Sequence, residues 1–353
     1  MRIGVARTQV PFVYGGAERH AAGLVQALKR HGHQATEITL PFKWYPIETM
    51  VDSIQASTLI DLNSNADAQI DMLIGLKFPA YLMLHHNPVF WVLHQHRRAY
   101  DLWSAGDSEL LDHPKGLAVK ALIEYEERKA FARSKRPIFA NSQNVAKRLR
   151  TYLDLDATPL YHPPPLADQL YTDSYDGPIF APGRISPTKR VDLMLQALAL
   201  TPPSVRLEIA GVAENPAYFE QIQKLAIELG VDDRVSWLGG ISDEELLKHY
   251  ATARAILFTP LDEDYGYITL EAMLASKPVI TVTDAGGPLE FITDGQEGRI
   301  TAPKPDALAQ AIVELAEDQA LAERLGQAAR KRYQTMNINW RTVVSQLTGE
   351  AAS

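Results

Sequence analysis

The chain has 353 residues, a formal net charge of −8, 46% hydrophobic and 22% charged residues, and no cysteine. This length predicts two domains rather than a single core. The lack of cysteine excludes disulfides, thiolate metal sites and a cysteine nucleophile, and the slightly acidic balance argues against nucleic-acid binding. No apolar run reaches the roughly 20 residues of a spanning helix, so we expect a soluble, cytoplasmic protein.

Strand-like runs alternate with helical patterns through the first half of the chain. The first strand covers residues 2–7 and leads into Gly15-Gly16, which open a helix that ends near His31. Further strands are predicted at residues 34–40, 71–77, 88–93, 137–141 and 158–162. This alternation is typical of a doubly wound α/β domain, with a parallel sheet covered by helices on both faces.

The glycine pair at 15 and 16 lies where a helix follows the first strand. Glycines there let backbone N–H groups approach a phosphate closely, although such a pair is also the common composition of a turn. Neither the G-x-G-x-x-G fingerprint of dinucleotide-binding proteins nor the P-loop pattern follows this strand. The sequence therefore does not favour a dehydrogenase or a nucleoside triphosphatase.

A histidine, His94, follows the strand at 88–93, at the edge of the sheet where α/β proteins bind ligands. Hydrogen bonding to a sugar or a phosphate is the functional interpretation, and His86 is a competing candidate. His94 and His96 could also share one face of an extended segment as metal ligands, but no carboxylate lies near them in sequence.

The first half of the chain is the more basic one. Residues 1–168 hold 19 Lys and Arg against 17 Asp and Glu, whereas the remainder holds 16 against 26. A helix predicted over residues 117–136 mixes apolar and basic side chains. This composition fits either a solvated helix face or a peripheral contact with the anionic inner face of a membrane, where a lipid-linked acceptor is presented.

Three consecutive prolines after His162 mark the clearest break in the chain. We divide the sequence into a first domain at 1–168, a second at 169–335, and a segment at 336–353 that packs back on the first domain. The second domain repeats the α/β alternation, with strands at 177–181, 205–211, 234–239, 255–259 and 278–282 and helices at 191–200, 267–275, 306–317 and 319–334. The glycine turn at 286–287 is predicted to open a further helix.

Charged side chains follow two of these strands. Arg184 and Lys189 lie in the loop after the strand at 177–181, and Glu263 lies in the loop that leads to the helix carrying Glu271. The two cations could neutralise a diphosphate, the helix N-terminus attracts anions, and carboxylates accept hydrogen bonds from hydroxyl groups. A nucleotide sugar fits this combination, although each residue alone reads equally well as a solvated surface charge.

Taken as an ordered set, these motifs resemble the retaining glycosyltransferases of family GT4. The resemblance covers nearly the whole chain, strongly over residues 177–300 and more loosely over 1–165. The residues that carry it are Gly15-Gly16, Gly183-Arg184 with Lys189, Gly239, Glu263 and Glu271 with Gly266 between them, Pro278 to Ile280, and Gly286-Gly287 with Glu290. Where many members read Glu-Gly-Phe-Gly, this chain reads Glu263-Asp-Tyr-Gly266, and Asp264 could alter the choice of sugar.

The resemblance implies the GT-B fold, in which two Rossmann-like domains face each other across a cleft. The first domain would bind the acceptor and the second the nucleotide-diphospho-sugar donor. Glu271 would hold the ribose hydroxyls and Glu263 the donor-sugar hydroxyls, Arg184 and Lys189 would bind the diphosphate, and the Gly16 backbone would close on it. The remaining implied contacts are His94 as the active-site histidine and Gly15, Gly239, Gly266, Tyr267, Ile268 and Thr269 as donor-binding residues.

The implied reaction is a front-face substitution that retains the anomeric configuration. A hexose would pass from a UDP-sugar, or next from a GDP-sugar, to a glycan, lipid-linked or small-molecule acceptor. No metal or other cofactor is required, since Arg184 and Lys189 supply the positive charge, and we read the two D-x-D sequences at 154–156 and 262–264 as coincidence. A non-catalytic nucleotide-sugar-binding subunit and a sugar-nucleotide epimerase of the same architecture remain as alternatives.

Overall fold

A computed structural model describes residues 1–12, 15–65 and 68–350. The chain forms two compact units: unit 1 contains Met1–Pro165 and Asn339–Ser353, and unit 2 contains Leu166–Ile338. The sequence placed these two boundaries at 168 and 335, three residues away in each case. Residues 13 and 14 of the predicted glycine loop and residues 351–353 of the predicted terminal segment lie outside the described residues.

Unit 1 is built around a six-stranded parallel sheet in the order β2-β1-β5-β6-β7-β8. Its strands are β1 (Arg2–Gln9), β2 (Gln34–Pro41), β5 (Met72–Lys77), β6 (Pro88–His94), β7 (Ile138–Ala140) and β8 (Ala157–Pro159), and a separate antiparallel hairpin pairs β3 (Ser64–Asn65) with β4 (Ala68–Gln69). Its helices are α1 (Gly16–Arg30), α2 (Ile47–Leu59), α3 (Asp101–Ala105), α4 (Gly116–Phe131), α5 (Gln143–Leu153) and α12 (Trp340–Thr348).

Unit 2 has a second six-stranded parallel sheet, in the order β11-β10-β9-β12-β13-β14. Its strands are β9 (Ile179–Pro182), β10 (Leu207–Ala210), β11 (Val235–Gly239), β12 (Ala255–Leu257), β13 (Val279–Val282) and β14 (Gly298–Thr301). Its helices are α6 (Val191–Ala199), α7 (Pro216–Glu228), α8 (Asp243–Thr252), α9 (Tyr267–Leu274), α10 (Pro305–Glu317) and α11 (Gln319–Thr335).

The strand order of unit 2 is that of the Rossmann fold, since the chain adds two strands on one side of β9 and then returns to add three on the other. Strands such as β9, β12 and β13 are buried along their whole length, which is why they appear in the sequence as short continuous apolar runs. The predicted pair of doubly wound parallel-sheet domains is confirmed.

Local structure departs from the sequence prediction in three places. The glycine turn at 286–287 opens only a short 3-10 turn, Gly287–Glu290, where we expected a helix. A Cβ on Gly287 would lie 2.7 Å from the Tyr265 carbonyl oxygen, so this turn packs tightly against the 263–266 loop. The β3–β4 hairpin and the edge strand β14 were missed because each has only two to four residues and lacks a continuous apolar run.

The last helix, α12, packs against α1 within unit 1. Trp340 lies so close to Gly23 that a Cβ there would approach the indole ring to 2.7 Å. The His20 ring is buried beside it, with ring centroids 4.2 Å from Trp91 and 4.1 Å from His162. This aromatic cluster joins α1, β6, the segment after β8 and α12.

Burial lowers the pKa of His20 to about 3, and burial together with His20 holds the pKa of His162 well below its usual range. A lowered folded-state pKa means that the unfolded chain binds more protons, so stability is present above about pH 6.5 and is lost as the pH falls toward the folded pKa.

We expect the unfolding midpoint, followed by tryptophan fluorescence, to drop steeply between about pH 6.5 and 4. His20→Phe, which removes a titrating ring, should flatten this dependence, and exposed His31→Gln should leave it unchanged; equal slopes in all three proteins would contradict the assignment.

Candidate functional site

The candidate site in unit 2 lies at the carboxyl edge of its sheet, next to the central strand β9. The loop after β9 covers residues 183–190, and the loop after β12 covers residues 258–266. The Leu261 amide donates to the Thr188 carbonyl oxygen at 2.8 Å, so these two loops run side by side. They flank the point where the strand order reverses, which is where open α/β sheets bind ligands.

Arg190 joins three loops at this edge. Its Nε donates to the Thr259 carbonyl oxygen at 2.9 Å and its Nη2 to the Pro260 carbonyl oxygen at 2.6 Å. The same guanidinium binds both carboxylate oxygens of Asp284, at 2.9 and 2.6 Å. Arg190 was not predicted, because its partners Thr259, Pro260 and Asp284 belong to two other loops that only the fold brings together.

Glu263 is fixed by its backbone as well as by its side chain. Its amide donates to the Ala285 carbonyl oxygen at 2.8 Å, and its carbonyl oxygen accepts from the Gly287 amide at 2.8 Å. The Lys189 ammonium group forms an ion pair with the Glu263 carboxylate. The structure therefore brings together two residues that the sequence placed in separate loops.

The helix α9 begins immediately after Gly266, whose φ of +87° favours glycine. A Cβ at this position would also lie 2.9 Å from Pro288, so the turn needs glycine for space as well. Tyr267, Ile268 and Thr269 form the first turn of α9, as predicted from the sequence. Their amides are at the positive end of the helix.

Glu271 lies in the second turn of α9 and is only 7% exposed, so it is not a solvated surface acid. The Tyr250 hydroxyl group, carried by α8, donates to the Glu271 carboxylate at 2.7 Å. Burial and this neighbouring carboxylate raise the pKa of Tyr250 well above its usual value, so it stays a donor. Tyr250 was not predicted, although a tyrosine on the apolar face of a helix is the residue type that satisfies a buried acid.

Arg184 is more exposed than Lys189 and is paired with Glu214, in the loop after β10. Gly239 ends β11 with a φ of +64°, and its carbonyl oxygen accepts from the Gly211 amide at 2.7 Å. The structure thus groups Lys189, Glu263 and the start of α9 at one point. It places Arg184 in the β9 loop beside the β10 loop, and Gly239 at the end of β11.

In unit 1, Gly15 is the N-cap of α1 and Gly16 is its first residue. The Glu18 side chain accepts from the Gly15 amide at 2.8 Å and lies 3.5 Å from the Arg7 guanidinium. A phosphate at this helix N-terminus would therefore share it with a capping carboxylate.

His94 ends β6 and lies at the carboxyl edge of the unit 1 sheet, with its Nδ1 2.8 Å from the Gln95 carbonyl oxygen. His86 precedes the start of β6 and is therefore at the opposite edge, about 20 Å away along a seven-residue strand. There its Nδ1 lies 2.5 Å from the Asn63 side-chain oxygen. Of the two competing histidines, only His94 is at the edge where ligands bind.

A buried carboxylate supports the loop that follows His94. Glu127 on α4 accepts hydrogen bonds from the Tyr81 and Tyr100 hydroxyl groups, and from the His96 amide at 3.3 Å. Burial raises the pKa of Glu127 to about 7, against the opposing effect of the two tyrosines. The signal in the sequence is an acid that continues the apolar stripe of Val119 and Ile123, at a spacing of four residues along α4.

The basic residues that suggested a membrane contact are largely engaged within unit 1. Arg128, Arg133 and Arg136 donate to backbone carbonyl oxygens, whereas Lys120 and Lys129 pair with acids of α4 itself. No helix in the described part of the chain combines the length and the apolar content that crossing a bilayer requires.

Among the described residues, no three acidic, histidine or cysteine side chains converge as a metal site. Of the two D-x-D sequences, Asp154 and Asp156 are exposed and lie 3.6 and 2.9 Å from Arg150. Asp262 is held by its backbone, with its amide donating to the Asp284 carbonyl oxygen at 2.9 Å.

Comparison with known proteins identifies a family model and relatives that match part of the chain. Residues 173–332 match the family model of glycosyl transferases group 1. The D-inositol 3-phosphate glycosyltransferase of Streptomyces avermitilis is 31% identical over 178 residues, which cover 48% of this chain and 38% of that protein. The GDP-mannose-dependent α-(1-6)-phosphatidylinositol monomannoside mannosyltransferase of Mycobacterium tuberculosis is 31% identical over 176 residues, 46% of this chain and 44% of that protein. Each alignment spans less than half of the relative's length.

Solved structures resemble the whole chain. Sucrose-phosphate synthase from Thermosynechococcus elongatus has a TM-score of 0.76 at 19% identity, over 99% of this chain and 97% of that one. Anabaena HepE in complex with UDP-glucose has a TM-score of 0.70 at 17% identity, over 99% and 98%. These likenesses, with the two parallel sheets, show a two-domain α/β GT-B fold.

Because Arg190 links three loops, we expect Arg190→Ala to lower the free energy of unfolding by about 1–3 kcal/mol, the usual range for losing hydrogen bonds to a charged group. Arg190→Lys should restore little, since an ammonium group cannot bind both Asp284 oxygens and two carbonyl oxygens at once. Denaturant unfolding of the full chain measures this. Arg206→Ala, which removes an exposed arginine bound to a single carbonyl oxygen, serves as the control; equal losses in the two alanine variants would refute the role of Arg190.

Proposed function

Because residues 173–332 match the family model of glycosyl transferases group 1, we propose that this chain moves a hexose-type sugar from a nucleoside-diphosphate sugar to an acceptor. The observation that carries the proposal is the junction at the carboxyl edge of unit 2, where Lys189, Glu263 and the N-terminus of α9 meet. A cation and a helix N-terminus suit a diphosphate, and the carboxylates suit hydroxyl groups.

In the proposed donor site, Glu271 binds the ribose hydroxyls through the carboxylate that Tyr250 orients. Glu263 contacts the hydroxyls of the transferred sugar. Arg184 and Lys189 bind the diphosphate, together with the first-turn amides of α9 at residues 267–269. Gly239 and Gly266 lie in the loops that shape the site.

We propose that unit 1 binds the acceptor. His94 is its candidate active-site histidine, and the Gly15-Gly16 backbone at the start of α1 is its candidate phosphate contact. Glycans, lipid-linked sugars and small molecules all remain acceptor candidates. A peripheral contact with an anionic membrane is a hypothesis that rests on composition alone.

The proposed reaction breaks the bond between the anomeric carbon and the diphosphate oxygen and forms a bond from that carbon to the acceptor oxygen. The acceptor's proton passes to the departing phosphate oxygen, and both bonds lie on the same face, so the configuration is retained. Charge accumulates on the leaving diphosphate in the transition state. Arg184, Lys189 and the α9 N-terminus therefore stabilise the transition state more than the ground state, without a metal ion.

UDP-sugars are the favoured donors and GDP-sugars come next. A thermal-shift panel of nucleotides and nucleotide sugars tests this directly, because a donor at about 100 times its Kd stabilises the fold by about 2.7 kcal/mol. We expect one nucleoside diphosphate and its sugars to raise the Tm. Transfer to acceptor then separates a transferase from a non-catalytic binding subunit, and an epimerised sugar formed without acceptor would identify an epimerase. A panel without any shift would contradict the proposal.

The two acids should have different effects when removed. Glu271→Ala should weaken binding of the free nucleoside diphosphate at least about tenfold, the effect of one lost charge-assisted hydrogen bond. Glu263→Gln should leave that affinity unchanged or improve it, since Lys189 loses a competing partner, while sugar transfer falls. Titration calorimetry with UDP and GDP and a transfer assay measure the two effects.

Tyr250→Phe keeps the Glu271 carboxylate but removes its donor, so an intermediate loss of nucleotide affinity is expected. If Glu271→Ala and Glu263→Gln weakened the free nucleotide to the same degree, the division between ribose and sugar would be wrong.

A further inference from the structure

Two cations are assigned to the diphosphate, and in the structure each is paired with a carboxylate. Lys189 is paired with Glu263, which has its own assigned partner in the donor sugar. Arg184 is paired with Glu214, which has none. Glu214 is therefore a charged group at the candidate site whose presence the proposed reaction does not require.

The backbone holds Glu214 beside Arg184. The parallel pairing of β9 and β10 continues past the ends of both strands, with the Gly183 amide donating to Ala210 at 2.8 Å and the Ile185 amide to Val212 at 3.1 Å. The Glu214 amide then donates back to the Ile185 carbonyl oxygen at 3.1 Å. The carboxylate is thereby placed next to the residue that precedes Ile185 in sequence.

Glycine makes this close pairing sterically accessible. At Gly211, which has a φ of +147°, a Cβ would lie 1.9 Å from the Gly183 carbonyl oxygen. Any other residue would push the two loops apart and separate Glu214 from Arg184. Both charged side chains remain open to solvent, with 58% of the Arg184 side chain and 43% of the Glu214 side chain exposed, so a ligand can reach the pair.

We propose that Glu214 is a built-in counter-ion that competes with the diphosphate for Arg184. An arriving diphosphate displaces the Glu214 carboxylate from the guanidinium, and the carboxylate takes Arg184 back when the nucleoside diphosphate leaves. This arrangement weakens the hold on the product and limits product inhibition. The inference rests on the proposed function, since it assigns the competing anion to the donor's diphosphate.

The test is the affinity of the full chain for UDP, GDP and inorganic pyrophosphate, measured by titration calorimetry for the wild type and for Glu214→Gln. The amide keeps the size of the side chain and removes its charge. We expect the variant to bind the preferred nucleoside diphosphate about threefold to fivefold more tightly at low salt, the effect of an exposed ion pair. The gain should shrink at about 0.15 M salt, where screening extends over about 8 Å.

Glu228→Gln is the matched control. Glu228 forms an exposed ion pair with Lys224. It ends helix α7, which begins two residues after Glu214, and it lies about 18 Å from the start of that helix. Glu228→Gln changes the net charge by the same amount as Glu214→Gln. An equal gain in affinity for the nucleoside diphosphate in this control would overturn the proposal. Unchanged or weaker binding by Glu214→Gln would also overturn it.

The Arg184→Ala background separates competition from simple repulsion. If Glu214 acts by occupying Arg184, Glu214→Gln should raise the affinity for the nucleoside diphosphate very little once Arg184 is absent. An increase as large as in the wild-type background would refute the competition. Suppose that Glu214→Gln binds pyrophosphate more tightly while neither protein binds UDP or GDP. That result would support the role of Glu214 as a counter-ion and would contradict the proposed nucleotide-sugar donor. Failure of all three anions to bind either protein would reject both.

Discussion

The geometry of the candidate donor site depends on the position of one strand. β9 is the first strand of unit 2 and its central one, with β10 on one side and β12 on the other. The loops that leave these three strands must therefore lie next to each other, although they are far apart in sequence. Arg190 then fixes the spacing of the β9, β12 and β13 loops, and Gly211 allows the β9 and β10 loops to approach closely. This framework of strands and loops sets the positions of the charged side chains at the site.

The charged side chains of the candidate donor site occur as neutral pairs. Lys189 and Glu263, Arg184 and Glu214, and Arg190 and Asp284 are all paired. Such pairs add little stability where they are exposed, because solvent screens them and the side chains lose freedom. In the proposed donor site, such pairs would favour an anion that can replace a carboxylate over other ligands.

The architecture could be predicted because buried parallel strands leave continuous apolar runs, and because the motifs occur in the order of a known family. The position of Glu271 on α9 followed from the helical pattern, but its burial did not. Its partner Tyr250 comes from another helix, and a sequence pattern does not reveal which side chain of α8 faces α9. Glu127 was missed for the same reason: its partners, Tyr81 and Tyr100, come from two other segments that only the fold brings together. Side-chain contacts between different helices and loops could thus not be predicted from the sequence. The ion pair of Lys189 with Glu263 is the clearest case.

The return of α12 to unit 1 has a consequence for how the protein is made. Trp340 completes the cluster around His20 and Trp91, yet it follows all of unit 2 in the chain. During translation at about 5–20 residues per second, the α1 surface that α12 covers stays exposed for roughly 10 to 35 s while Leu166–Ile338 emerges. Unit 2 is a continuous segment and can fold in that interval. Unit 1 begins the chain, yet it is completed after unit 2, because its last helix is synthesised last.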